Sequence, residues 1–246
     1  MKDRVYLLSI AELLLDAVPE ELSGRCLALM DETRKMRVLM ARGHRKQAES
    51  IGAGLLLQLA VREALIKQET AAIKDTIRSI SLTQLLDILE NYGANPLSLE
   101  YIYSERGKPY LKNVPFYFNL SHSGEFILCV ISEQEVGADI QWRKPQAQER
   151  LVERFFSKEE KEMYTVMSEA ERHAFFYRMW ARKEAYGKLT GEGIAAVIGE
   201  DCSDGGLRRN EACKSDCIRK NEIPQLLFEE YVIDDYQIAI CKYSTE

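Results

Sequence analysis

The sequence predicts an α+β chain, and three observations carry that prediction. An apolar strand signal near the N-terminus gives way to long helical periodicity as far as Tyr92-Gly93. After Asn95-Pro96 the pattern changes to strands punctuated by glycine turns. Helix then returns across Ser168–Gly193, marked at both ends, before two closing strand signals.

Taken in order, residues 4 to 10 read as a strand through Val5-Tyr-Leu-Leu-Ser-Ile, and Glu12 and Asp16 interrupt the apolar run that follows. The segment therefore reads as neither a secretion signal nor a membrane span. Residues 25 to 46 place Arg25, Arg34, Lys35, Arg37, Arg42, Arg45 and Lys46 against Asp31 and Glu32. Such a run fits a solvated helix face as well as an anion site. Periodicity predicts helices over Ser50 to Lys67 and Leu82 to Asn91. Leu99 to Ser104 is strand-like, Gly107-Lys108-Pro109-Tyr110 is a turn, and Phe116 to His122 is extended and leads to Ser123-Gly124. A hairpin is predicted between Phe126–Ser132 and Val136–Gln141 around Glu133-Gln134-Glu135. Helix resumes from Gln148 to Arg154, and Ser157 followed by Glu160 is a capping box that opens another. Closing strands fall near Gln225 to Ile233 and Tyr236 to Lys242. With no Pro/Gly/Ser linker to mark it, the boundary between halves is set near residues 112 to 118, giving segments 1–115 and 116–246.

The helix over Ser168–Gly193 holds the chemistry. Its capping box is Ser168 with Glu171, and Thr190-Gly191 supplies the stop. At 100° per residue, Phe175, Phe176, Met179, Trp180, Tyr186 and Gly187 form one apolar arc. Lys183 falls in the middle of that arc, and Glu184 and Lys188 lie on its edge. Spacing alone fits a Glu184–Lys188 surface pair and a snorkelling Lys183, and equally a polar cleft offered to an anion.

With 246 residues and a formal net charge of −6, the chain has an ordinary globular composition, and the charge argues against general nucleic-acid binding. The six cysteines read as reduced thiols of a cytoplasmic protein. Cys202, Cys213 and Cys217 share one polar loop without paired CxxC spacing, so they read as exposed thiols rather than a zinc site.

In an extended strand Asp139 and Gln141 face one side while Ala138 and Ile140 face the other. A lone aspartate in an apolar strand is costly to bury unpaired, which makes Asp139 a candidate cation ligand or charge partner. Asp139, Glu184 and nearby lysines are the ingredients of a magnesium-assisted phosphate site, because magnesium takes one or two carboxylates and completes its shell with water and phosphate oxygens. Asn119, Ser121, His122 and Lys108 could donate to phosphates. Ser121 and His122 do not form a hydrolytic pair, since neighbours on a strand point apart; a capping or core role for His122 stays open.

Gly107-Lys108-Pro109, Phe118-Asn119-Leu120-Ser121-His122-Ser123-Gly124, Gly137-Ala138-Asp139-Ile140, Phe155-Phe156-Ser157 and Trp180-Ala181-Arg182-Lys183-Glu184-Ala185 with Lys188 together resemble the phosphopantetheinyl transferase superfamily, in its large monomeric type. The N-terminal hundred residues or so match only in layout. The resemblance implies a pseudo-dimer of two similar halves in one chain, with coenzyme A between them. It implies transfer of the 4′-phosphopantetheine arm of coenzyme A to a serine of an acyl or peptidyl carrier protein, with release of 3′,5′-ADP. The carriers would serve nonribosomal peptide, polyketide or fatty acid synthesis. Carried over residue by residue, Asp139 and Glu184 are magnesium ligands, with Gln141 standing where many members carry a second acid. Lys108, Ser121 and His122 hold the nucleotide's phosphates, and Lys183 and Lys188 lie along the pyrophosphate. Glu184 is the first candidate base, with Lys188 behind it. Arg45 and Lys46 are named as helpers on the nucleotide, although Ser50 stands where an arginine is frequent. The competing reading is a coenzyme A or nucleotide-binding module of the same fold weakened in turnover, with Gln141 as its reason. No membrane partner is expected.

Overall fold

The computed structural model describes residues 3–16, 18–66, 77–93, 95–145, 149–204 and 225–244. Helices and sheets are mixed throughout, so the chain is α+β. It divides into two compact units, Met1–Gln134 and Glu135–Glu246.

In the first unit, β1 (Arg4–Ser9), a 3-10 turn, α1 (Glu20–Ala28), α2 (Glu32–Met40), α3 (His44–Leu65), β2 (Arg78–Ile80) and α4 (Leu82–Asn91) precede the short strands β3 (Tyr101–Tyr103) and β4 (Pro109–Leu111). The hairpin β5 (Tyr117–Ser123) and β6 (Phe126–Ser132) closes it. The sheet runs β2-β1-β6-β5, with β1 and β2 parallel and the other neighbours antiparallel. Helix α3 is the core element. Leu55, Leu56, Leu57, Leu59, Ala60 and Val61 are all fully buried, so it is apolar around most of its circumference and is enclosed by its own unit.

The 115/116 boundary does not describe these units. Strands β5 and β6 pair with each other, and β6 with β1, so residues 117–132 complete the N-terminal sheet. The hairpin placed between 126–132 and 136–141 also moves. β6 turns back on β5 through Gly124-Glu125, where Gly124 has φ +57°, the left-handed conformation that the first turn position of a two-residue type II′ loop requires. Ser123-Gly124 carries the glycine that this turn needs, whereas Glu133-Gln134-Glu135 is a polar interruption between two apolar strands and connects two sheets.

The second unit begins with β7 (Val136–Trp142) and continues through α5 (Glu149–Phe155), α6 (Lys158–Val166), α7 (Glu169–Thr190), a 3-10 turn (Ile194–Val197), β8 (Leu226–Ile233) and β9 (Tyr236–Tyr243). Its antiparallel sheet has the order β7-β9-β8, with Asp139 opposite Ala239 and Gln141 opposite Gln237. Helix α7 starts as its capping box predicts, with the Glu171 carboxylate accepting from the Ser168 N–H at 2.9 Å and from its hydroxyl at 2.6 Å. It ends at Gly191, whose φ of +73° is the left-handed cap.

Small side chains let α7 lie close on the sheet. Ala181, Ala185 and Leu189, four residues apart on one face, are fully buried with Ala239 and Cys241 of β9. Gly137 of β7 is the point of closest approach. A methyl group there would stand 1.9 Å from the Ala185 carbonyl oxygen and 2.4 Å from the Leu189 nitrogen. Both are backbone atoms and cannot rotate away. The opposite side of α7 packs Phe176, Tyr177 and Met179 with Val152 and Phe155 of α5, Tyr164 of α6 and Phe156 between the two helices. Cys202 is buried in the core under α7, not exposed, and burial pushes its thiol up to about 12. Cys213 and Cys217 lie outside the described residues.

Gly137→Ala is expected to lower the unfolding free energy by about 3 kcal/mol, at the upper end of ordinary overpacking, in a urea titration. Gly24→Ala in α1, where nothing lies within 4 Å of the added methyl, should be neutral or stabilising by up to about 1 kcal/mol. Equal midpoints for the two variants would contradict the backbone contact.

Candidate functional site

Asp139 sits in the middle of β7, two residues beyond Gly137, with only 3% of its surface exposed. Because α7 lies against the strand at that glycine, the next turn of the helix brings Lys188 over the aspartate. Lys188 Nζ donates to Asp139 Oδ1 at 2.6 Å and to the Ala138 carbonyl at 3.2 Å. Gln141, on the same face of β7 as the alternation requires, donates its Nε2 to Asp139 Oδ2 at 2.7 Å. Both carboxylate oxygens of Asp139 are thus engaged by cationic or amide donors.

Glu184 stands one helical turn before Lys188 and is half-buried. Burial pushes its carboxyl above the usual glutamate range. The Asp139 charge pushes the same way, and Lys188 opposes it. A glutamate whose ionisation is opposed by burial and by the neighbouring Asp139 charge, beside an aspartate already held by an ammonium, forms a group that a hard divalent cation would relieve. A fit to magnesium follows from the donor set. Asp139 and Glu184 offer anionic oxygens and Gln141 a neutral amide. No group of three or more His, Cys, Asp or Glu side chains placed to hold a metal ion exists among the described residues, so the remaining ligands would be water and substrate oxygen.

Lys183 does not join this group. It is fully buried, and its ammonium is 2.9 Å from Glu160 Oε2 and donates to the Glu200 carbonyl. Glu160 is equally buried and accepts in addition from the Ser157 N–H at 2.8 Å and the Cys202 N–H at 2.7 Å. The lysine sits in the apolar arc because α6 carries a carboxylate to meet it there. That partner was visible only as a capping residue.

The remaining candidates lie in the first unit. Ser121 is buried on β5, and the adjacent His122 is exposed, with Nδ1 3.6 Å from Glu49. Arg45 donates to the Gly124 carbonyl at 2.7 Å and lies 3.7 Å from the same Glu49 oxygen, so Arg45, Glu49 and His122 gather at the β5–β6 turn. Lys46 is exposed on α3. Lys108 is buried, with its ammonium 5.5 Å from the centre of the Tyr110 ring.

A second cationic feature escaped the motif reading. The guanidinium groups of Arg34 and Arg37 lie 5.1 and 5.5 Å from the centre of the Tyr101 ring. Arg34 donates to the Tyr101 hydroxyl at 3.0 Å, and Arg37 donates to the Tyr103 hydroxyl. Burial and then the neighbouring Arg34 charge lower the pKa of Arg37. Two cations sharing one aromatic platform suit a phosphate. The i, i+3 spacing of the two arginines was the available signal, and it was lost in the longer basic run.

Residues 135–241, nearly the whole second unit, match the family model described as the 4′-phosphopantetheinyl transferase superfamily. Among similar proteins, the 4′-phosphopantetheinyl transferase psf-1 of Bacillus pumilus is 33% identical over 137 residues, covering 55% of this chain and 57% of that protein. The 4′-phosphopantetheinyl transferase HetI of a Nostoc species is 36% identical over 120 residues, covering 46% and 51%. The 4′-phosphopantetheinyl transferase AcpT of Escherichia coli is 37% identical over 116 residues, covering 46% and 59%. The chain thus spans about half the length of the curated relatives it matches.

Two outcomes follow from these charges. Because the folded Glu184 carboxyl titrates above the ordinary 4.5, folding stability is lost as the pH rises from that value through the raised one. Glu184→Gln should therefore raise the melting temperature at pH 7 in chelator, and the gain should vanish at roughly pH 4 and below, where both states are protonated. A lowered melting temperature at pH 7 would contradict this. Lys183→Met should cost about 3–5 kcal/mol in urea unfolding by stranding a buried carboxylate, and adding Glu160→Gln should recover part of it. A loss below about 1 kcal/mol would show that the pair is not desolvated as described.

Proposed function

We propose that this chain, whose second unit matches the family model of the 4′-phosphopantetheinyl transferase superfamily, moves the 4′-phosphopantetheine group of coenzyme A onto a serine of an apo acyl or peptidyl carrier protein. The observation that carries the reading is the Asp139–Lys188–Glu184 group, which lies inside the segment that matches the family. The similar proteins named as transferases support it.

In the proposed reaction the carrier's serine oxygen forms a bond to the phosphorus that bears the pantetheine arm. The pyrophosphate bridge breaks, and 3′,5′-ADP leaves with the bridging oxygen. The serine proton passes to the Glu184 carboxylate, which burial makes a stronger proton acceptor than a free glutamate. Asp139, Glu184 and, more weakly, Gln141 would hold magnesium, which when bound neutralises charge on the pyrophosphate. Lys188 supplies a second positive charge beside the reacting phosphate. Lys108, Ser121, His122, Arg45 and Lys46 are assigned to the nucleotide's phosphates, and the Arg34–Arg37 platform is added to them on its geometry. Lys183 is given a supporting role through Glu160 instead of a phosphate contact. A single chain acting in the cytoplasm is the setting proposed; no helix among the described residues is long and apolar enough to cross a membrane.

Intact-mass spectrometry of an apo carrier protein incubated with this chain, coenzyme A and magnesium tests the proposal. A gain of one phosphopantetheine is expected, abolished by chelator and reduced at least a hundredfold by Asp139→Ala or Glu184→Ala, the scale on which a lost charge-stabilising group slows transfer. Coenzyme A binding without any gain across several carriers would favour the weakened binding module instead.

A further inference from the structure

Lys183 and Lys188 are five residues apart on one helix, and their ammonium groups are held in opposite ways. That of Lys183 is sealed, with no exposed side-chain surface, against a carboxylate that is also fully buried. That of Lys188 reaches Asp139 at the end of a partly exposed side chain. The lysine side chain is 28% exposed and the aspartate 4%. The lysine has a route to solvent that the aspartate lacks.

We propose that Lys188 is the exchangeable counter-ion of Asp139, holding the position of the divalent cation until the cation displaces it. The inference rests on the metal reading given under the proposed function. A carboxylate this deeply buried is costly to leave uncompensated, so the strand requires a cation before any metal arrives. Lys188 provides it at 2.6 Å from Oδ1, while the Gln141 amide covers Oδ2. An incoming dication needs a lone pair on Asp139, and an ammonium held at hydrogen-bond distance from the same oxygen would face it at short range and strong repulsion. A flexible four-carbon stem lets the ammonium leave while α7 stays fixed by Gly137 and by the Lys183–Glu160 pair. The released charge would then be available to a phosphate on the same side of the strand. Metal affinity would therefore be set by a competition within the chain.

Direct binding of Mn²⁺ to the full chain without substrate, read by electron paramagnetic resonance, tests the exchange. Lys188→Met should bind Mn²⁺ about tenfold more tightly than wild type, the scale of one lost charge-assisted hydrogen bond in the competing state. Lys188→Arg, which keeps the counter-charge, should bind no more tightly than wild type. A second measurement uses the unmodified protein and so does not depend on the variants folding. Reductive methylation of Lys188, quantified by mass spectrometry, should rise severalfold when Mn²⁺ saturates the site, while Lys183 stays protected. Equal Mn²⁺ affinity in wild type and Lys188→Met, or Lys188 reactivity unchanged by bound metal, would overturn the exchange and leave the metal reading standing. Absence of Mn²⁺ binding in every form, together with carrier modification that survives chelator, would overturn the metal reading and the exchange with it.

Discussion

The approach of α7 to β7 at Gly137 is the constraint on which the second unit depends. A helix normally rests on a sheet through its side chains, but here the strand glycine admits the helix backbone itself, within reach of Ala185 and Leu189. That contact fixes both the distance and the longitudinal register of helix and strand. Asp139 follows two positions along the strand on a definite face, and Glu184 and Lys188 flank Ala185 and Leu189 on the helix. The polar group is thus set by a packing contact between residues that have no chemistry of their own. This is why a glycine next to the site matters as much to its geometry as the charged residues do.

Rotation of α7 about its axis is governed by a different interaction. The Lys183–Glu160 pair lies where the helix would otherwise present an aliphatic residue. Its two charges gain little net stability, since desolvation offsets most of the Coulombic attraction. What the pair does is exclude alternatives. Glu160 simultaneously closes the capping box of α6, accepts from the Cys202 N–H and meets the lysine, so α6, α7 and the 200–202 segment can be assembled in only one rotational setting. Any other setting would leave a buried charge with an unfilled hydrogen bond, at a cost of several kcal/mol. Arg182, nearly as buried, reinforces the arrangement through Glu230 of β8 and the Cys202 carbonyl at 2.5 and 2.7 Å.

Local signals were legible in the sequence, and signals that depend on pairing between distant segments were not. The capping boxes at Ser157 and Ser168, the helix over Leu82–Asn91 and the two closing strands could be read because each is specified within a few residues. Alternation placed Asp139 and Gln141 on one face, and the hydrogen bond between them agrees. The hairpin assignment failed at Glu133-Gln134-Glu135 because apolar strands look the same whether they pair with each other or with remote partners; only the partners of β6 and β7 decide, and those are β1, β5 and β9. The partner of Lys183 was hidden for the same reason. Helical spacing identifies which residues share a face, but not that Glu160, twenty-three positions away in the chain, will meet one of them in the core. Cys202 was placed with exposed thiols because its neighbours are polar, although its own side chain turns inward.

Gln141 shows how the charge at the site is balanced. Its amide N–H is directed at Asp139 Oδ2, so its first role in this structure is to hold the aspartate, not to present an oxygen. A glutamate in its place would add a third negative charge facing one lysine, and the burial that already raises the Glu184 carboxyl would make that arrangement harder to keep ionised. With glutamine, the side chains supply at most two formal negative charges against Lys188. On the proposed function a divalent cation would then find too little anionic oxygen in the protein alone to complete its shell. Water would fill the rest in the free chain, and the pyrophosphate of the substrate would replace part of that water. Metal and coenzyme A would therefore each strengthen the hold on the other, which couples formation of the reactive site to arrival of the group to be transferred.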